Sequence, residues 1–203
     1  MSSVAALGRL SRLGSPMVTT GEAAAALRTS TSAASRTLRT LAAHGLVTHV
    51  RHGLWRLGTG VADPRQLGPE ITRPYPSYVS FASALADYEV IDQIPRDVHL
   101  ASLGRAKRVR TPLASFVVHR LPPELFGGFE RREGFSVASV EKAIFDFYYV
   151  AAASGHVRQR LPELDLPSSF SQKRIEQWIR LIRSRRLQTL VRSSIERALQ
   201  TAD

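Results

Sequence analysis

Over residues 4–57 the hydrophobic pattern changes period once, from helical to alternating, and that change restricts the fold more than any other feature of the chain. Leu7 and Leu10, with Val4, stand at helical spacing over residues 4–13, and Pro16 ends that helix. Thr19-Thr20-Gly21-Glu22 has the form of a capping box, in which a Thr oxygen takes the third amide and the Glu reaches back to the cap. A second helix is therefore expected over about 20–28, with Ala23, Ala24 and Leu27 as its buried side. Arg28-Thr29-Ser30 is the turn, Ser30 is placed to cap a third helix reaching about Ala43, and Gly45 is placed to stop it. Leu46-Val47-Thr48-His49-Val50 then alternates as a strand, Arg51-His52-Gly53 turns, and Leu54-Trp55-Arg56-Leu57 returns. Three helices and a basic-tipped hairpin predict a winged helix-turn-helix over residues 1–60.

The third helix carries the functional signal. At 100° per residue Ala34, Leu38, Leu41 and Ala42 share one side, and Ser32, Arg36, Arg39 and Thr40 share the other. That outer side has hydroxyls and guanidiniums and no acid. A merely solvated helix face is usually filled with Glu or Lys, because Ser and Thr are weak helix formers. A face read by a DNA major groove needs Arg forks for guanine and hydroxyls for bases or phosphates. The expected DNA-contacting residues are Thr31, Ser32, Ser35, Arg36, Arg39 and Thr40 on the helix, with Arg51 and His52 at the hairpin tip. Trp55 is expected beneath the hairpin rather than stacked on a base. His49-x-x-His52 has no carboxylate or Cys to complete a metal site, and none is expected.

Charge agrees with this reading without proving it. The 203 residues hold 28 Lys+Arg against 17 Asp+Glu, a formal net charge of +11, which suits a polyanionic partner. Residues 1–60 hold seven Arg and one acid, Glu22; residues 61–110 are nearly balanced; and residues 171–197 hold eight basic residues and two acidic ones. Three Lys among so many Arg fits phosphate recognition and equally fits a GC-rich genome. The absence of Cys excludes disulfides, Cys-ligated zinc, iron–sulfur clusters and thiol catalysis. No apolar run reaches the length of a membrane span, and the opening residues lack the form of a secretory signal, so a cytoplasmic protein without membrane contact is expected.

Pro64, Pro69, Pro74 and Pro76 mark residues 61–76 as a linker. Beyond it, residues 77–203 read as a small α/β domain ending in two amphipathic helices, giving a mixed α+β chain overall. Strands are expected around Tyr78-Val79-Ser80-Phe81, Val98-His99-Leu100-Ala101, residues 113–121 and Phe135-Ser136-Val137, with helices over 82–88 and about 139–154. Arg105–Arg110 is a basic loop or edge. The helix over 139–154 is apolar nearly all round, and its mid-helix Asp146 reads as a structural salt bridge or cap before an active-site group. Ile175, Trp178, Ile179 and Ile182 form the stripe of the next helix, capped by Ser171, and Leu187, Leu190, Val191, Ile195 and Leu199 that of the last. Their basic backs are open to three readings: a cover for the sheet, a contact for DNA phosphates, or a partner surface. Asp87, Glu89, Asp92 and Asp97 read as a solvated acidic edge. Phosphate-loop, dinucleotide, zinc-protease and nucleophile-elbow motifs are all absent. Nothing argues for an enzyme, a cofactor or a metal.

The chain resembles the AbiEi-family antitoxins, partners of nucleotidyltransferase-like toxins in type IV abortive-infection toxin–antitoxin systems. Val18-Thr19-Thr20-Gly21-Glu22-Ala23-Ala24, Gly45-Leu46-Val47 and Gly53-Leu54-Trp55-Arg56-Leu57 match a pattern that many winged-helix regulators share. More specific are Tyr78-Val79-Ser80-Phe81-Ala82-Ser83-Ala84-Leu85, Arg108-Val109-Arg110-Thr111-Pro112-Leu113 and His119-Arg120-Leu121-Pro122-Pro123-Glu124-Leu125-Phe126. Ala138-Ser139-Val140-Glu141-Lys142-Ala143-Ile144-Phe145-Asp146 is similar to the family's A-T-P-E-K-A-L-x-D run, with Ser for Thr and Val for Pro. The resemblance spans about 17–156. It implies an autorepressor that binds inverted-repeat double-stranded operator DNA through its winged domain, as a monomer in solution that pairs on the repeats. It also implies that the C-terminal domain counters the toxin, directly or indirectly. The rival expectation is a ligand-responsive winged-helix transcriptional regulator with no toxin partner, which requires a pocket of convergent polar groups in the later domain.

Overall fold

A computed structural model describes residues 2–58, 63–132 and 134–200. The chain is mixed α and β with two sheets. It divides into two compact units, residues 1–63 with 111–113, and residues 64–110 with 114–203.

The N-terminal unit holds α1 (Ser3–Ser11), β1 (Met17–Thr19), α2 (Thr20–Leu27), α3 (Thr31–Ala43), β2 (Val47–Arg51) and β3 (Leu54–Leu57). Its helix ends follow local chemistry. The Thr19–Glu22 capping box is complete, with the Glu22 amide donating to Thr19 Oγ1 at 3.1 Å and the Thr19 amide to the Glu22 carboxylate at 2.7 Å. The strand β1 is an addition to the sequence reading: only three residues long and following Pro16, it pairs antiparallel with β3 to give the order β1-β3-β2. Ala6, Leu10, Ala23, Leu27, Ala34, Leu38, Leu41 and Trp55 form one core, in which small Ala residues let the three helices approach closely.

The C-terminal unit corrects the expected linker. Residues 61 and 62 lie outside the described residues, but Pro64–Leu67 forms a 3₁₀ turn and α4 (Gly68–Thr72) follows it, with Leu67 and Ile71 buried. Proline lacks an amide hydrogen, so it opens a helical turn as readily as it breaks one. Here two apolar anchors decide for structure. Next come β4 (Ser77–Val79), α5 (Phe81–Asp87), β5 (Asp97–Ser102), β6 (Lys107–Arg110), β7 (Ser115–Arg120), β8 (Phe129–Arg132), β9 (Phe135–Ala138), α6 (Val140–Ala153), α7 (Gln172–Arg180) and α8 (Arg185–Leu199). The six strands lie in the order β6-β7-β5-β4-β9-β8, with β5 parallel to β7, β4 parallel to β9 and the other pairs antiparallel. The basic segment at 107–110 is thus an edge strand, where exposed cations discourage further pairing.

Helix α6 is the hub of this unit, packed among α5, α7 and α8. Two details differ from the sequence pattern. Ser171 precedes α7 without a side-chain cap; its amide instead donates to Glu141 Oε1 on α6 at 3.0 Å. Ile182 is buried although α7 ends two residues before it. The acidic edge is not simply solvated either: Asp87 is paired with both Arg65 and Arg132, and Asp97 with Arg108 at 3.3 Å, while Glu89 and Asp92 remain exposed.

Candidate nucleic-acid interface

Helix α3 is fixed from beneath and bare above. Ser30 Oγ accepts the Ala33 amide at 3.2 Å and opens the helix, while Ala34, Leu38 and Leu41 are fully buried. Thr31, Ser32, Arg36, Arg39 and Thr40 are exposed, and Ser35 is half-buried. Arg39 Nη2 donates to Ser35 Oγ at 3.2 Å, one turn back on the same face, and Thr40 Oγ1 donates to the Arg36 carbonyl at 3.1 Å. Among the described residues neither Arg36 nor Arg39 meets a carboxylate within ion-pair distance. Each keeps donors free for an acceptor from outside.

The hairpin is held against the start of α2. The Thr20 amide donates to the Gly53 carbonyl at 2.9 Å, and Trp55 Nε1 donates to Thr20 Oγ1 at 3.1 Å. Gly53, at φ +73°, takes the left-handed conformation that this turn requires. Trp55 lies under the sheet and its ring meets His49 at 4.6 Å between centroids, so His49 is an aromatic neighbour of the core. Arg51 and His52 stand exposed at the tip.

Between α3 and the hairpin runs an open cleft of about 690 Å³, whose lining includes Thr31, Ser35 and Arg39 on one wall and His49 and His52 on the other. Of the eight expected contact residues it brings together Thr31, Ser35, Arg39 and His52. Ser32, Arg36, Thr40 and Arg51 lie outside the cleft, exposed on the same two elements. Among the described residues no carboxylate lines it, and Glu22 is engaged by the capping box.

Two polar clusters of the C-terminal unit, one buried and one half-buried, had weaker sequence signals. Lys142 and Asp146 form an ion pair with both side chains fully buried. Asp146 Oδ2 also accepts from Ser80 Oγ at 2.7 Å and Tyr78 Oη at 3.0 Å, and the Lys142 ammonium lies 4.7 Å from the Trp178 ring centre. Burial pushes the Asp146 pKa up and that of Lys142 down, each opposed by the other's charge. With no solvent access this network is a structural tie from α6 to β4. His99 Nδ1 and His119 Nε2 lie 3.0 Å apart with nearly parallel rings, and Phe81, at φ +58°, covers His119 at 4.2 Å between ring centres. Burial lowers both histidines, His119 to about 4. The pairing depends on β5 and β7 being neighbours, which residue spacing alone does not give.

Among the described residues no helix is long and apolar enough to cross a membrane, and no three His, Cys, Asp or Glu side chains are grouped to hold a metal. No protein-family model matches the chain, and no curated protein is significantly similar to it.

Proposed function

We propose that the N-terminal unit is a winged helix-turn-helix that binds duplex DNA, with α3 as the helix that enters the major groove and the β2–β3 tip on the backbone. The observation that carries this reading is the acid-free outer face of α3: Arg36 and Arg39 have no carboxylate partner among the described residues, and Arg39 opens onto the cleft beside the hairpin. Arg supplies a planar fork for guanine or phosphate. Thr31, Ser32, Ser35 and Thr40 add short polar groups that fix register on the backbone. Phosphate neutralisation dominates affinity in such a complex, so binding falls steeply with added salt.

Through its resemblance to the AbiEi antitoxins, the whole chain is further read as a cytoplasmic antitoxin that represses its own operon at inverted repeats and counters a nucleotidyltransferase-like toxin without being an enzyme. The C-terminal unit is the part assigned to the toxin. Gel shifts of the full chain on DNA upstream of its own gene, at fixed salt, test the first half of this proposal. Rescue of growth when the chain is expressed with a nucleotidyltransferase-like toxin encoded beside it tests the second. Sequence-specific retention with rescue supports both. Retention equal on unrelated DNA of the same length refutes the operator role, and absence of rescue refutes the antitoxin role.

A further inference from the structure

In the C-terminal unit an open groove of about 550 Å³ lies between residues 157–162 and the end of α8. Arg158 and Arg160 line one wall and Arg197 the other, together with the Tyr148 phenol and the buried Ser194 hydroxyl; among the described residues no carboxylate lines it. Arg197 donates to the Ser193 carbonyl at 3.0 Å and faces Ser194 Oγ at 3.4 Å, both neutral acceptors that hold the guanidinium without cancelling its charge. Tyr148 Oη accepts the Leu161 amide at 3.4 Å, which leaves its own hydrogen to donate. Burial raises the Tyr148 pKa while Arg160 and Arg197 both pull it down, so the positive field of both walls reaches the phenol.

The surroundings make this convergence unusual. Elsewhere in the same unit Arg65 and Arg132 share Asp87, Arg180 and Arg192 share Glu176, and Arg174 meets Glu141. A second basic recess, about 270 Å³ beside Tyr75, contains Arg73, which Glu70 already neutralises, and two further cations, Arg105 and Lys107, rather than three arginines. Three guanidiniums in one concavity, with no carboxylate partner among the described residues, repel each other and focus a positive potential that an anion relieves. A flat carboxylate satisfies one Arg fork; a phosphoryl group presents three oxygens and satisfies several guanidiniums and a phenol at once. The volume is within the ordinary range for a small-ligand pocket.

We propose that this groove binds phosphoryl groups. They come from one of two sources, a small polyphosphate-bearing ligand or the backbone of a nucleic-acid strand. The inference is independent of the DNA-binding reading, since every residue in it belongs to the other unit.

The test is calorimetric titration of the full chain, at fixed ionic strength, with tripolyphosphate and separately with a short single-stranded oligothymidine. Arg160→Gln/Arg197→Gln is compared with Arg185→Gln/Arg186→Gln, which removes the same charge from α8 away from the groove. The expected result is saturable binding of at least one probe, weakened at least about tenfold by the groove pair and less than about twofold by the control pair. Tyr148→Phe is expected to weaken it by a smaller factor. Tripolyphosphate binding alone assigns a small ligand, and oligonucleotide binding alone assigns a strand. Absence of saturable binding by either probe overturns the proposal, as does equal weakening by both double variants, which would show diffuse charge rather than a site. Circular dichroism confirms that the variants, the double ones at exposed arginines and Tyr148→Phe at a buried ring, remain folded.

Discussion

Arg39 in the N-terminal unit and Arg132 in the C-terminal unit sit on regular elements of a basic chain, and their surroundings differ completely. Arg39 is exposed on α3 and reaches the hydroxyl of Ser35. Arg132 is paired with Asp87 and Glu130 and lies 5.1 Å from the Tyr88 ring centre. The same contrast holds more widely: the outer face of α3 carries unneutralised arginines, while much of the later unit's positive charge is absorbed by its own carboxylates. Net charge therefore says little about where a polyanion would bind. The distribution of acids does, because an arginine already satisfied by a carboxylate has few donors left and little field to offer.

The contrast can be broken first where charge is purely structural. Asp146→Ala leaves Lys142 charged or forced neutral in a fully buried site, and is expected to destabilise the C-terminal unit by about 3–5 kcal/mol in urea denaturation. A loss below about 1 kcal/mol would mean the pair contributes little. A volume-matched Lys142→Met/Asp146→Leu double variant should recover much of the loss.

The histidine pair gives the next largest effect, and it depends on pH. The folded His119 pKa, about 4, is below its unfolded value, so the unfolded chain takes up the proton first as pH falls below 6.5. Stability is thus complete above about pH 6.5 and is lost as pH falls toward 4, by on the order of 3 kcal/mol at most. His99 adds a change of the same sign, opposed by Asp97 and reinforced by Arg108. His119→Phe should flatten the loss seen between urea melts at pH 7.5 and 4.5; an unchanged slope would refute the assignment.

Arg36→Ala and Arg39→Ala are each expected to weaken operator binding by about 1–3 kcal/mol and to change stability by less than about 0.5 kcal/mol. Gel shift and thermal melting together separate the two effects. If both variants bind as the parent does, the assignment of α3 is wrong; if they unfold the protein, these arginines resemble Arg132 after all. The smallest effect is expected at the capping box, where Thr19→Ala should cost about 1 kcal/mol of stability and Thr19→Ser should restore most of it.

How much could be read in advance depended on range. The ends of α2 and α3 were legible because a cap is a conversation among residues three apart, Thr19 with Glu22 and Ser30 with Ala33. The buried face of α3 and its bare opposite face followed from a period of 3.6. Strand β1 was missed because three residues after a proline carry no period, and it exists only because β3 offers it an edge. The segment at 64–72 reads as a linker from its prolines, and it is the burial of Leu67 and Ile71 against distant segments that makes it helical. Asp146 could be recognised as an acid in an apolar helix, yet its partners Tyr78 and Ser80 lie more than sixty residues away in sequence.

By itself, then, the chain determined α2 and α3, their caps and the composition of the face that α3 turns outward, since those depend on neighbours a turn apart. Tertiary structure alone decided the strand order of the larger sheet, the meeting of His99 with His119, and the convergence of Arg158, Arg160 and Arg197 beside Tyr148. Such contacts arise when distant segments bury apolar surface together. The polar groups they carry are brought close as a consequence, so no local pattern announces them.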